Sequence, residues 1–319
     1  MRPILHALTG AVLAMSTSAS ADTLSFGATE GGGPVFAAMT AISKAAVAHE
    51  GMDIRIQPFR GTAQYVPIIN AGELAGGLAN AMQLLEAYKG VGTFDGHSHP
   101  NLRLIAASYP FKLTMGMRAE SGIESITQIK GLRLANEYHA SPIGDTLSTA
   151  LLANAGLTPD DMTLVPVASF GEARKLMGQG LIDMWLAVVG SGSTAGVEQK
   201  AGKVRLVTLD DSPEAVARMQ EVVPVAEMAV VKPRPGFLGV EGPINVMKYD
   251  YMLFSSVALA DDDAYKLAKT LHENKGELAA AVPAFKGFDP QHMTPDLGVP
   301  YHPGAIRFYK EVGIWRSAD

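Results

Sequence analysis

The chain contains no cysteine among its 319 residues. Disulfide bonds, thiolate nucleophiles, zinc–thiolate sites and iron–sulfur clusters are therefore excluded. Charged residues are also scarce, at 18%, and the 26 basic residues are outnumbered by 32 acidic ones and form no basic tract. A nucleic acid is consequently a poor candidate for a partner. The chain has instead 47% hydrophobic residues, enough to exclude bulk disorder, and 33 glycines with 19 prolines, which predict many turns.

The first 21 residues have the pattern of a secretory signal peptide. Arg2 precedes the mostly apolar stretch Ile4–Met15, and Ala19 and Ala21 provide the small residues of a cleavage site. The alternative is a buried N-terminal helix, which Pro3 and the following Ser/Thr run disfavour. We expect export across the inner membrane to the periplasm, with cleavage after Ala21. No other segment offers the roughly 18 uninterrupted apolar residues of a membrane span.

Beyond the signal peptide, short apolar runs alternate with helical patterns in two successive cycles. This alternation predicts an α/β protein with parallel-type sheets covered by helices on both faces. Leu102–Tyr109 and Lys112–Arg118 have the pattern of two strands separated by Pro110, and Ile244–Leu259 that of one long strand. Asp261 then begins a predicted helix that continues to about Ala281.

The two cycles indicate two lobes around a cleft. We expect residues 22–115 to form the first part of lobe 1 and residues 116–243 to form lobe 2. Residues 244–319 are expected to return to lobe 1 and to supply the C-terminal helices. In open α/β sheets ligands bind beyond the carboxyl ends of the strands, so the loops at those ends are the candidate site.

Several motifs occur in a fixed order along the chain. The Gly-rich segment Gly27–Pro34 follows the first predicted strand, and Asn70–Glu73 and Gln179–Asp183 lead from helices into strands. The C-terminal segment Pro300–Gly313 reads PYHPGAIRFYKEVG and is the most specific of these. Together they resemble the TAXI-type solute receptors of TRAP transporters, and the likeness spans essentially the whole mature chain.

This resemblance implies the type II periplasmic binding-protein fold, in which two lobes with a central ligand cleft are joined by two crossing hinge strands. It also implies a function. Such a receptor closes on a small, usually carboxylate-bearing solute (an amino acid, an oxo-acid or a dicarboxylate) and delivers it to the membrane subunits of a TRAP-type secondary transporter. We expect a monomer that catalyses no reaction and needs no cofactor or metal.

The chain departs from the family pattern at the cleft. Arg60-Gly61-Thr62 stands where a small Gly-Ser pair is expected, and Val35-Phe36 where two tyrosines often open the first helix. In lobe 2, residues 139–142 replace an expected Gly-Ser-Gly. The resemblance therefore defines the scaffold more firmly than the ligand.

Arg60 is the predicted main anchor of the solute, because a planar guanidinium holds a carboxylate through two parallel hydrogen bonds. Gly61 would add a backbone N–H group at the start of the next helix. Thr62 and Gln64 are either ligand contacts or helix-capping residues.

The other candidates follow strand ends. The Gly-rich loop would let backbone approach the solute, while its Glu30 would meet an ammonium group or remain a solvated charge. The set also includes side-chain amides, two hydroxyl groups and a tyrosine at the cleft wall. Its last member is a histidine that would make capture of the solute pH-dependent. The candidate ligand-binding residues are Glu30, Gly32, Gly33, Arg60, Gly61, Thr62, Gln64, Asn80, Gln83, Tyr109, His139, Ser141 and Ser191. Asp145 is better interpreted as a helix cap, and so, alternatively, is Ser191.

Other classes of site find little support in the sequence. Ser191 and Ser193 lack the flanking glycines of a nucleophile elbow, and the Gly-rich loop lacks dinucleotide-binding spacing. His97 and His99 have a spacing that suits a metal, but a solvated loop is the better interpretation. His302 is interpreted as a structural residue at a helix start. A periplasmic enzyme or a sensor-accessory binding protein on the same fold remains the alternative function.

Overall fold

The computed structural model describes residues 23–29, 34–139 and 143–315, so the predicted signal peptide lies outside it. Within these residues one mixed sheet of ten strands is flanked by helices. The strands are β1 (Leu24–Thr29), β2 (Ile54–Phe59), β3 (Gly76–Asn80), β4 (Leu102–Arg118), β5 (Arg133–Asn136), β6 (Thr163–Pro166), β7 (Met184–Val188), β8 (Val204–Leu206), β9 (Glu227–Val231) and β10 (Ile244–Ser256). The helices are α1 (Pro34–Glu50), α2 (Thr62–Asn70), α3 (Ala81–Lys89), α4 (Ile143–Asn154), α5 (Phe170–Gln179), α6 (Gly192–Ala201), α7 (Pro213–Val222), α8 (Asp261–Glu273), α9 (Lys275–Ala281) and α10 (Pro303–Glu311).

The first lobe is built around the parallel strands β2, β1 and β3, in that order across the sheet. Its core contains the fully buried side chains Phe26, Ile42, Leu78 and Phe254. Gly27 lies under α2, where a Cβ atom would come within 2.8 Å of the Tyr65 ring. The glycine that opens the first motif is therefore required by close packing of a helix on the sheet.

The second lobe repeats this arrangement with β5 parallel to both β6 and β7. Its separate core is centred on Trp185, Met184 and Leu151. Asp183, the last residue of the Gln179–Asp183 motif, accepts hydrogen bonds from the Arg133 guanidinium at 2.6 and 3.1 Å and from the Arg133 backbone N–H at 2.8 Å. The guanidinium holds the pKa of Asp183 below its ordinary value. This pair ties the start of β7 to the start of β5.

Two long antiparallel strands, β4 and β10, run through both lobes and pair with each other from Met247–Leu113 to Ser256–Leu102. The prediction that Pro110 separates two strands is wrong, because β4 continues through it. Between Ala107, which bonds to Met293, and Lys112, which bonds to Val189, β4 has a sheet partner on one side only within the described chain. A residue without an N–H group is tolerated at such a strand edge.

Two irregularities interrupt the ladder between β4 and β10, and side-chain hydroxyl groups compensate for both. Ser108 is the extra residue at the first, and its hydroxyl donates to the Tyr251 carbonyl at 2.6 Å. Ile105 is the extra residue at the second, and its carbonyl accepts from the Tyr309 hydroxyl at 2.5 Å. The buried carbonyl groups thus stay hydrogen-bonded while the strands bend.

The C-terminal motif closes the first lobe. Tyr301 pairs with Leu104 on the outer edge of β4. His302 caps α10: its Nδ1 accepts from the Gly304 N–H at 3.3 Å and its Nε2 donates to the Leu259 carbonyl at 3.0 Å. The interpretation of His302 as a helix-start residue is confirmed. The predicted long helix after Asp261 is wrong, since Asn274 breaks it into α8 and α9.

Gly304 is expected to be sensitive to the smallest substitution. An added Cβ atom would overlap the Asp261 carbonyl oxygen, because α10 crosses the start of α8 closely. We expect Gly304→Ala to lower the free energy of unfolding by about 3 kcal/mol in denaturant titrations. The control Gly276→Ala in α9 has open space around it. It should stabilise by about 0.5–1 kcal/mol, and equal effects of the two substitutions would contradict the packing account.

His302 should make the folded state sensitive to acid. Burial lowers its pKa, the Leu259 carbonyl and Asp261 oppose the shift, and Arg103 adds to it. The folded state therefore binds a proton less readily than the unfolded state. Stability should fall as the pH drops below about 6.5, by up to about 1.4 kcal/mol per pH unit. His302→Asn keeps a capping oxygen but has no imidazole to protonate. Its melting temperature should therefore fall less between pH 7 and pH 5 than that of the unmodified protein. An equal fall in the two proteins would contradict the assignment.

Candidate functional site

The strand registers place the carboxyl ends of the parallel strands of lobe 1 opposite the carboxyl ends of the parallel strands of lobe 2. Asn80, the last residue of β3, pairs with Tyr251, which pairs with Tyr109 on β4. Val188, the last residue of β7, pairs with Leu113 on the same strand. The two ends are therefore separated along β4 by only four residues, or about 13 Å. Since β3 and β7 both run antiparallel to a hinge strand and toward the other lobe, the helices that follow them begin at a common cleft.

The lobe 1 side of this cleft contains the segment Arg60–Gln64 after β2. Arg60 is exposed, and its backbone N–H donates to the Gln64 side chain at 2.9 Å. Gly61 is the N-cap of α2 and has no side chain to accept from the first turn. Among the described residues, no acceptor pairs with the N–H groups of Thr62 and Ala63, as is usual for the first turn of a helix without a side-chain cap. Thr62 is buried, with its hydroxyl 3.4 Å from that of Tyr65.

Asn80 and Gln83 hold each other at the start of α3. The Asn80 oxygen accepts from the Gln83 N–H at 2.8 Å, and its amide group donates to the Gln83 side-chain oxygen at 2.6 Å. Asn80 is thereby a helix cap at the mouth of the cleft. Gln83 is half-buried beside it, and its amide group is the more accessible of the two.

On the lobe 2 side, Ser191 caps α6. Its hydroxyl accepts from the Ser193 N–H at 3.2 Å and lies 2.8 Å from the Ser193 hydroxyl. His139 is exposed at the end of the loop after β5. Asp145 accepts from the Tyr138 N–H at 3.2 Å and so holds the segment that follows β5. Glu137, which sequence reasoning did not single out, has a left-handed backbone with φ 54°.

Four predicted residues cannot be placed. Glu30, Gly32, Gly33 and Ser141 lie outside the described residues. The strands that lead to them, β1 and β5, nevertheless end at the same edge of their lobes as β2 and β7.

Tyr109 is buried at 3% exposure and does not present its ring to solvent. It stacks on Tyr251, its cross-strand partner, with ring centroids 5.0 Å apart, and meets Phe285 edge-on at 5.2 Å. Its hydroxyl is buried and has no hydrogen-bond partner within the described chain. Burial and the neighbouring phenols of Tyr251 and Tyr65 raise its pKa, so the phenol is neutral and able to donate.

Sequence reasoning missed the other aromatic residues of the hinge. Phe111 lies 5.2 Å from Tyr249 and 5.8 Å from Tyr251, measured between ring centroids. Together with Tyr109 these side chains share one face of the β4–β10 ribbon. The signal was present as alternating aromatic residues in two distant segments, but only the pairing of β4 with β10 joins them.

The opposite face of the ribbon is charged. Lys112, Lys248 and Asp250 line it, and the Lys248 ammonium lies 2.6 Å from the Glu227 carboxylate. Burial lowers the pKa of Lys112, with Lys248 adding to the effect, and burial raises the pKa of Asp250. Residues 291–297 of lobe 1 and 224–227 of lobe 2 enclose a groove of about 440 Å³ on this side. This groove, which we call the rear groove, lies on the charged face of the ribbon.

The described residues contain no group of three or more His, Asp or Glu side chains arranged to hold a metal ion. The prediction of a solvated loop is wrong for His99, which is buried with its Nδ1 3.2 Å from the Ala87 carbonyl oxygen, whereas His97 is exposed. Within the same residues, no helix combines the length and apolarity that crossing a membrane requires.

Solved structures with the same fold are distant in sequence. MatC from Rhodopseudomonas palustris with bound malate is 13% identical, with a TM-score of 0.52 over 92% of this chain and 97% of that one. PhnD1 from Prochlorococcus marinus in complex with methylphosphonate is 11% identical, with a TM-score of 0.55 over 92% and 99%. The periplasmic sulfonate-binding protein SsuA from Methylobacillus flagellatus is 13% identical, with a TM-score of 0.52 over 94% and 90%. These similarities confirm the predicted fold of a periplasmic binding protein.

The sequence also matches a known family over most of its length. The matched segment, residues 26–313, includes both lobes and the hinge strands between them. The chain belongs to the NMT1-like family.

Proposed function

We propose that this protein is an exported solute receptor that binds a small carboxylate-bearing molecule between its lobes and performs no catalysis. The observation that carries the proposal is the opposition of two sets of strand ends across a two-stranded hinge. This arrangement allows closure around a solute by bending of β4 and β10. Among the proteins of similar fold, MatC holds malate, PhnD1 holds methylphosphonate and SsuA is a sulfonate-binding protein, and all three ligands are small organic anions.

Arg60 and the start of α2 are the proposed anion site. Asn80, Ser169 and Ser191 cap the starts of α3, α5 and α6, whereas Gly61 leaves the first N–H groups of α2 uncapped. Arg60 directly precedes this helix start and is exposed. A guanidinium beside free N–H groups matches the two oxygens of a carboxylate and the charge they carry. Gln83, His139 and Ser191 are proposed as secondary contacts at the edges of the cleft.

Arg60→Ala should weaken binding of the carboxylate by about 10- to 100-fold, because it removes a charge-assisted bidentate contact. The ligand is found by thermal-shift screening of amino acids, oxo-acids and dicarboxylates, and its affinity is then measured by calorimetry. Arg60→Lys should recover only part of the loss, because an ammonium group cannot form two parallel bonds.

Arg55→Ala is the matched control. Arg55 is an exposed arginine on β2, the strand that ends beside Arg60. It should bind the ligand like the unmodified protein. An unchanged dissociation constant for Arg60→Ala would remove Arg60 from the site, and recovery of a chemically altered ligand after incubation would favour an enzyme instead.

We further propose delivery to TRAP-type membrane subunits, with removal of residues 1–21 on export and a monomeric receptor. The C-terminal PYHPGAIRFYKEVG segment, which resembles that of TAXI-type receptors, supports this assignment. Uptake of labelled ligand into proteoliposomes containing those subunits should require both this receptor and an ion gradient. Uptake that instead needs ATP hydrolysis would assign the receptor to a different class of transporter.

A further inference from the structure

The charged face of the hinge carries two opposite charges that have no partner. The Lys248 ammonium lies 2.6 Å from the Glu227 carboxylate and is paired with it. Lys112 and Asp250, by contrast, form neither a salt bridge nor a side-chain hydrogen bond within the described chain, although both are half-buried. Burial shifts the pKa of each toward its neutral form. A charge that is partly removed from water without a partner costs free energy, which a ligand of opposite charge would recover.

The strand register places these two groups side by side. Lys112 pairs with Lys248 across the ribbon, and Asp250 lies two residues farther along β10 on the same face. Diagonal neighbours of this kind are about 7–8 Å apart at the backbone. One small molecule can therefore reach both the ammonium and the carboxylate.

The space above the two groups has the size of a ligand site. The rear groove has a volume of about 440 Å³, with walls from residues 224–227 of lobe 2 and 291–297 of lobe 1. Lys112 lines an adjoining cavity of about 140 Å³, which shares Lys248 and Asp250 with the groove. Sites for small molecules commonly have volumes of this order.

The other charged groups of the walls already have partners, and most of them are acidic. The Asp289 carboxylate lies 2.6 Å from Nδ1 of His292, and Asp296 accepts from the Gly298 N–H at 3.0 Å. With Glu227, three carboxylates thus border the groove. They repel a ligand that carries net negative charge.

From these observations we propose that the rear groove is a second ligand site, which binds the zwitterion of an α-amino acid. The carboxylate of the ligand pairs with Lys112 and its ammonium group with Asp250. An anion alone would leave Asp250 unpaired, and a cation alone would leave Lys112 unpaired. A zwitterion satisfies both charges and brings no net charge to the acidic walls. Of the described residues that line the groove, none belongs to the segment Arg60–Gln64, so this site goes beyond the proposed function.

The test compares an amino acid with analogues that lack one of its two charges. Thermal-shift screening of the common L-amino acids selects a binder. Calorimetry then compares it with its 2-oxo acid, which lacks the ammonium group, and with its decarboxylated amine. All titrations use the Arg60→Ala protein, in which the proposed anion site contributes little. We expect the amino acid to bind at least about tenfold more tightly than either analogue, because each analogue loses one charge-assisted contact.

Two further substitutions in this background assign the two charges. Asp250→Asn should reduce the preference over the 2-oxo acid to less than threefold and should keep the preference over the amine. Lys112→Met retains the side-chain stem and should have the reverse effect. A purely structural role of these residues would not produce this crossed pattern.

Lys44→Met and Asp160→Asn are the matched controls. Both residues are exposed, and neither lines the groove or the adjoining cavity. These substitutions should alter neither preference. Melting curves of all variants establish that they are folded.

The possible outcomes separate this inference from the proposed function. The inference is overturned if no amino acid binds the Arg60→Ala protein, if the 2-oxo acid binds as tightly as the amino acid, or if both preferences survive Asp250→Asn and Lys112→Met. The receptor function would remain in each case, because it is judged by carboxylate binding to the protein with Arg60 intact. Amino-acid binding in the groove without any Arg60-dependent carboxylate binding would instead overturn the proposed anion site and support the inference.

Discussion

The antiparallel pairing of β4 with β10 is the constraint on which the rest of the molecule depends. Both strands cross between two separate hydrophobic cores, and their register decides which loops of one lobe face which loops of the other. A slip of one residue would exchange the aromatic and charged faces of the ribbon. The two irregularities, secured by Ser108 and Tyr309, fix that register while allowing the strands to bend.

The two faces of this ribbon lie in different environments. The rear face carries Lys112, Lys248 and Asp250, and the last two line a groove between residues 291–297 and 224–227. The front face carries rings and neutral phenols, where burial raises the pKa of Tyr251 to about 12. The front face therefore offers phenolic donors and carries no carboxylate among these hinge residues.

The sequence predicted the architecture well because strand–helix alternation and capping are local signals. His302 was identified as a helix-start residue from its neighbours alone. The continuous strand through Pro110 was missed, because only the tertiary environment reveals that β4 has an open edge there. The break at Asn274 was missed for a similar reason, as the pattern on either side is helical.

The site was less predictable than the fold. Local reasoning predicted candidates after β2, β3 and β7, since these loops follow recognisable strand ends, and their role stays a prediction. It could not find the contact between the Phe111 and Tyr251 rings, because these residues are distant in sequence and are joined only by the register of two strands. It also gave Tyr109 an exposed role, whereas the structure buries its ring and leaves its hydroxyl unpartnered.

The central claim is that two lobes hinge about β4 and β10 to enclose a carboxylate. The absence of cysteine makes a distance measurement direct, because spin labels can be attached at Ala37→Cys on α1 and Lys175→Cys on α5, both of them exposed positions. Pulsed electron resonance should show the distance between these labels shortening when the ligand saturates the protein, and Arg60→Ala should shift that change to higher ligand concentration. A distance that stays the same at saturation would contradict the account.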